Sequence, residues 1–223
     1  MPIPDEIRTG DHATFPLDDM NSAADALIGR LHRHYPDMSG FTVVSMTGRG
    51  RDFLHHIIHT RLGGLLPTIL SFDDYRTRRI ADRTGRMAVP ADEAFLRFHA
   101  LRCREEDVSP LPADSQRLFS FLTTIAEFSV SIEELRALDR IGQEQADRIE
   151  RFFTTMETYR DLLATEGLFY APFEATRFAD LATGECELFF GLPLMTPVNR
   201  RFFGRIPRER RFIDTPLFGP HMR

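Results

Sequence analysis

The sequence predicts an α/β protein in which a core of strands and helices is interrupted by a helical insertion. Three observations predict it. Phe41–Met46 (FTVVSM) is β-branched at its centre and apolar on both faces, as strands inside parallel sheets are. A glycine- and arginine-rich turn and then an apolar-faced helix follow it directly, the order of an α/β unit. A second apolar strand, Glu187–Phe190, comes only after a long run of helical periodicity.

The elements follow in order. Residues 1–20 read as an irregular, acidic arm. Asn21 or Ser22 can cap a helix to about His34, with Ala24, Leu27, Ile28 and Leu31 on one face. Pro36–Gly40 is a turn, Phe41–Met46 the strand, and Thr47-Gly48-Arg49-Gly50 the next turn. A helix over about 51–61 buries Phe53, Leu54, Ile57 and Ile58 and ends at Gly63-Gly64. Leu65–Leu70 is short and extended. Ser71 caps a further helix, with Asp74 three residues on to complete a reciprocal cap. Residues 84–92 are a linker. Helices are then predicted over about 92–103, 114–128 and 132–165, the last bracketed by Ser131 and Glu134, bent or broken near Ile141-Gly142, and closed by Gly167. Ala171–Asp180 is a helix or a turn with one helical face. Thr196-Pro197 starts a last helix, with Phe202 and Phe203 packing it. The tail from Pro207 is arginine-rich and irregular. Two strands are clear; further strands in 65–70 and 210–218 would fill the sheet, and without them the core is incomplete. The organisation is an arm (1–20), a first part of the α/β domain (21–91), a helical insertion (92–168), and a return to the core with a basic tail (169–223).

Composition bounds the function. A chain of 223 residues, 42% apolar and with twenty phenylalanines, can bury a sizeable core. No apolar run is near 18 residues, so no membrane span is expected, and without an apolar signal core the cytoplasm is the expected location. Cys103 and Cys186 do not form a CxxC pair and are expected to be reduced thiols. The formal charge of −5 argues weakly against nucleic acid. Its distribution qualifies that: residues 47–86 hold eight arginines and four acids, 200–223 seven and two, and 131–190 six and thirteen. The basic ends suit a local nucleic-acid contact; the acidic middle suits a partner subunit.

The turn at 47–51 carries the most chemistry. A strand end leading into a helix presents free backbone N–H groups. Gly48 and Gly50 allow a phosphate to approach closely, Thr47 offers a hydroxyl, and Arg49 and Arg51 can clamp phosphate oxygens. The bland alternative is an ordinary turn with solvated arginines. The segment matches neither GxxxxGK[ST] nor GxGxxG, and the chain has no lysine at all. The remaining candidates read as structural. His55 and His59 share a helix face, but no HExxH or cysteine cluster accompanies them, so no metal site is expected. Asp73-Asp74 lacks the lysine that most metal-dependent nucleases use, and no GxSxG is present, so no catalytic residue is assigned. Glu144, Asp147 and Glu150 read as a solvated face, and the pairs Phe189-Phe190 and Phe202-Phe203 as core.

The stretch FTVVSMTGRGRDFLHHII…GGLLPTILSFDDY resembles the amino-terminal segment of the AddB/RexB-type subunit of bacterial helicase–nucleases, inactivated superfamily I helicases with a PD-(D/E)XK nuclease at the far end. The family's pattern is a hydrophobic strand, a Pro/Thr-x-Arg turn, a leucine-rich helix and an LLP-x-I segment; here these fall on Thr47 and Arg49, on Leu54, and on Leu65-Leu66-Pro67 with Ile69, and the hydroxyl residue and acidic helix start that follow fall on Ser71 and Asp73. Tyr159, Leu162, Gly167 and Leu168, and then Glu187–Arg201 with Thr196-Pro197, resemble later family segments. The resemblance touches residues 41–75 and 155–205. It implies a RecA-like three-layer core with a helical insertion, and a role in double-strand break repair beside a helicase–nuclease partner subunit. It also implies that Thr47 and Arg49, with the segment around Ser71, contact single-stranded DNA at processed DNA ends. With the turn argument, the DNA-binding candidates are Thr47, Gly48, Arg49, Arg51 and Ser71.

The departures set limits. Family members are several-fold longer, and this chain has no nuclease motif, no iron–sulfur cysteine set and no phosphate loop, so neither nuclease nor helicase activity carries over and no cofactor is expected. The chain reads as an excised amino-terminal domain, a truncated product, or a short protein retaining only this fold. Two further readings stand beside it: a structural or protein-interaction module without DNA binding, and a small α/β enzyme using the 47–51 turn to hold a phosphorylated ligand.

Overall fold

The computed structural model describes residues 20–106, 110–131, 133–134, 143–191 and 196–212. The arm, except Met20, and the bend expected at Ile141-Gly142 lie outside them. The described residues form a mixed α/β protein. In chain order the elements are α1 (Met20–His32), β1 (Thr42–Ser45), α2 (Gly48–Arg61), β2 (Thr68–Ser71), α3 (Phe72–Thr84), β3 (Met87–Ala88), α4 (Ala91–Glu105), α5 (Pro112–Phe128), α6 (Gln143–Thr165), β4 (Leu168–Phe169), α7 (Ala175–Ala179), β5 (Glu187–Phe190), α8 (Pro197–Gly204) and β6 (Arg211–Phe212). The chain divides into two compact units, one of Met1–Tyr75, Ala182–Leu194 and Phe202–Arg223, the other of Arg76–Leu181 and Met195–Arg201.

The first unit is built on a parallel sheet of strand order β2-β1-β5-β6. The two-faced apolarity of β1 is explained by its place: Val43 is flanked by Ile69 and Leu188, and Val44 by Leu70 and Phe189. On one face Val43, Ile69, Leu188 and Phe190 share a core with Leu27 and Leu31 of α1 and Leu54 and Ile58 of α2. On the other face Phe189 meets Tyr75 edge-on at 5.5 Å, with Phe202 and Phe203 at 5.8 and 5.7 Å. Side chains such as these contribute roughly 1.5–3 kcal/mol each when fully buried. The phenylalanine pairs are therefore core, as expected. The added strands are those sought in 65–70 and 210–218.

Several local expectations change. Asn21 and Ser22 lie inside α1 (Met20–His32) rather than capping it, and the helix ends at His32. The Ser71 cap forms: Asp74 N donates to Ser71 Oγ at 3.1 Å, and that hydroxyl donates to Asp74 Oδ2 at 2.6 Å. Helix α2 stops at Arg61 with Leu62 as an extended cap, ahead of Gly63-Gly64. The segment expected as a linker contains β3, which pairs in parallel with β4.

The second unit is mainly helical. Its core joins Phe98 and Leu101 of α4, Leu118, Phe119 and Leu122 of α5, and Met156, Tyr159 and Leu163 of α6. Pro112 opens α5 at a position where its missing N–H costs nothing. Ser131 and Glu134, expected to bracket a helix start, make a reciprocal cap: Ser131 N donates to Glu134 Oε2 at 2.8 Å and Glu134 N to Ser131 Oγ at 3.1 Å. Among the described residues the unit buries one carboxylate, Glu174, which meets Arg177 at 3.0 Å, Arg86 at 3.3 Å and Arg160 at 3.8 Å. Both cysteines are free and exposed. Among the described residues, no helix is long and apolar enough to cross a membrane.

Candidate nucleic-acid interface

The strand order determines where a ligand would meet the first unit. After β1 the chain crosses to β2 on one side; after β5, which flanks β1 on the other, it reaches the outer strand β6. The connections diverge, and in open parallel sheets ligands enter the crevice at the carboxyl end of such a pair of strands. Here that end holds Met46 and Thr47 beside Gly191. Met46 N donates to Phe190 O at 3.0 Å, and Gly191 has φ 97°. A side chain at Gly191 would be strained by that φ and would stand 3.5 Å from Met46 Cβ.

The turn expected at 47–50 is instead the first turn of α2, which begins at Gly48 rather than near Arg51. The cause is Thr47, whose Oγ1 accepts from Gly50 N at 3.0 Å and whose carbonyl accepts from Arg51 N at 3.0 Å. That cap uses two of the amides the turn was expected to offer, leaving those of Gly48 and Arg49 at the mouth. The two glycines differ. A Cβ on Gly48 would meet nothing within 4 Å, whereas one on Gly50 would stand 2.4 Å from Ser45 Oγ. Gly50 is buried, and its role is close helix–strand packing rather than ligand approach. Gly50→Ala is expected to cost about 1–3 kcal/mol in chemical denaturation. The Ser45 hydroxyl is the shortest contact, with Thr47 Oγ1 next at 3.1 Å, so Ser45→Ala in the same chain should recover most of the loss; no recovery would place the cost on the Thr47 cap or the backbone.

Thr47, Gly48 and Arg49 are exposed, and Arg51 is partly exposed. Arg51 is engaged by Asp52 at 3.1 Å and by Asp74 at 3.6 Å. That second contact ties the start of α2 to the start of α3, bringing the two sequence-predicted segments, 47–51 and 71–74, to one edge of the sheet. Ser71 is half-buried and its hydroxyl is used in the cap. Arg49 has no ion-pair partner among the described residues. The edge thus holds two arginines and three carboxylates (Asp52, Asp73 and Asp74), with Arg49 and the first amides of α2 as its anion-attracting elements. Sequence reasoning missed Ser45 and Gly191; a glycine directly after an apolar strand was the available signal for the latter.

His55, His56 and His59 are exposed on α2, and among the described residues no group of three or more His, Cys, Asp or Glu side chains could hold a metal ion. Glu144, Asp147 and Glu150 are exposed on α6. Comparison with protein-family models found none that matches, and comparison with curated proteins found no matching relative.

Proposed function

We propose that the chain is a non-catalytic, helicase-like domain of DNA double-strand break repair, RecA-like in its core, which contacts single-stranded DNA at the edge formed by Thr47, Gly48, Arg49, Arg51 and Ser71. The observation that carries this reading is the position of Arg49: a cation without an ion-pair partner among the described residues, at the start of a helix, where two parallel strands send the chain in opposite directions. A phosphate there would receive backbone N–H groups and a guanidinium together. The parallel sheet covered on both faces and the likeness of the 41–75 segment to the AddB/RexB type support the same reading.

Arg49→Ala is expected to weaken single-stranded DNA binding about three- to tenfold and to lower the slope of log affinity against log salt by about 1, as loss of one phosphate contact does. An unchanged slope and affinity would remove Arg49 from the DNA path. Turnover of ATP or DNA by the purified chain, abolished by substituting a named residue, would contradict the non-catalytic reading.

A second reading, a protein-interaction module serving a helicase–nuclease partner, is favoured by the second unit. There Leu96, Leu111, Phe121 and Phe128 are 63%, 68%, 43% and 45% exposed, apolar side chains that a partner would cover.

A further inference from the structure

One groove of the second unit combines exposed aromatic surface with basic charge. It lies between α4, α5 and α6 and encloses about 390 Å³, within the roughly 300–1,000 Å³ range of small-molecule sites. Arg102, Asp114, Arg117, Phe121, Arg148 and Phe152 line it. The rings of Phe121 and Phe152 meet edge to face at 6.1 Å, and the Arg148 guanidinium lies over Phe152, 5.5 Å from its centroid. Phe152 is thereby capped, while Phe121 stays 43% exposed beside it.

The charges are unequal in availability. Arg102 is held by Glu106 at 2.6 Å and donates to the buried Ser115 hydroxyl at 3.1 Å, so it forms a wall. Arg117 is 84% exposed and has Asp114 at 3.8 Å, a distance at which a surface ion pair is weak. The Arg148 guanidinium lies against the aromatic pair. Counting Glu106 with Asp114, the groove sets three guanidiniums against two carboxylates inside a segment of the chain that is otherwise acidic.

We propose that this groove is a second contact for single-stranded nucleic acid: Phe121 stacks on one base, and Arg117 and Arg148 hold the phosphates beside it. An exposed aromatic ring stands beside two guanidiniums, the composition by which single strands are bound without sequence preference. A protein partner would use the same apolar surface, yet the surplus of arginine over carboxylate favours an anionic ligand. This contact is independent of the Arg49 edge and differs from it in kind, adding base stacking to its phosphate contacts.

The test uses the full chain and a labelled oligothymidine followed by fluorescence anisotropy. Phe121→Ala is expected to weaken binding roughly tenfold, the size of one lost base-stacking contact. Arg117→Glu, a change at an exposed position that leaves the core intact, is expected to weaken it severalfold. Photo-crosslinking of a bromodeoxyuridine-substituted oligonucleotide should label peptides containing residues 117–121 or 148–152. Loss with Arg49→Ala but not with Phe121→Ala or Arg117→Glu, and no crosslink in those peptides, would overturn the groove and leave the α2 edge standing. Loss with the groove variants alone would support the groove and remove the edge. A folded chain that binds no oligothymidine would overturn both.

Discussion

Glu174→Gln is expected to lower the stability of the helical unit by about 3–5 kcal/mol, the cost of breaking a buried ion pair from one side. Glu174 is 3% exposed, and Arg86, which meets it, is 14% exposed and lies over the Phe169 ring at 5.8 Å. The substitution keeps the shape of the side chain and removes its charge. Arg86 and Arg160 then remain largely out of water with no carboxylate between them. Urea denaturation measures the loss. Arg177→Ala is the control: that side chain is 63% exposed, so its pair with Glu174 is worth about 0–1 kcal/mol. A Glu174→Gln chain as stable as the wild type would mean that the arginines reach solvent without it.

Tyr159→Ala is the second large effect, about 3–5 kcal/mol. Tyr159 is fully buried, donates to Ala94 O at 2.7 Å, and meets Phe98 at 5.4 Å and Phe173 at 5.9 Å, nearly perpendicular to both. Tyr159→Phe keeps the ring and loses the hydrogen bond, for about 1 kcal/mol. The phenol also predicts a pH dependence. Burial raises the Tyr159 pKa above its ordinary value, and burial raises that of Tyr170 as well. An unfolded tyrosine ionises near pH 10, whereas these remain protonated in the folded chain. Their contribution is complete below about pH 10 and falls as pH rises beyond it. Denaturation midpoints between neutral pH and about pH 11 should therefore decline, and less steeply in Tyr159→Phe. An identical decline in that variant would assign the effect to other groups.

What the sequence disclosed follows from the length scale of each signal. β1 was legible because a strand paired on both sides must be apolar on both faces, and Val43 and Val44 satisfy that within two residues. The Ser71 and Ser131 caps were legible because each closes over three residues. The α2 start was misread: glycines at 48 and 50 suggest a turn, yet the Thr47 hydroxyl and carbonyl complete a helix cap around them, and Gly50 serves the contact with Ser45. β3, β4 and β6 are two residues each, too short to show a period. Arg51 with Asp74, and Glu174 with Arg86 and Arg160, join residues far apart in the chain. Only the fold brings those charges together, so spacing could not disclose them. The five residues proposed for DNA were all named from sequence. That Arg51 is engaged by two aspartates, and Arg49 by none, was visible only in three dimensions.

The central claim is contact with single-stranded DNA, and a fluorescence-anisotropy titration of the wild-type chain with labelled single-stranded DNA at low and high salt tests it most directly. The account predicts binding at low salt that weakens as salt rises and weakens again in Arg49→Ala. A folded chain with no affinity for the strand at low salt would contradict it and leave the partner-binding reading.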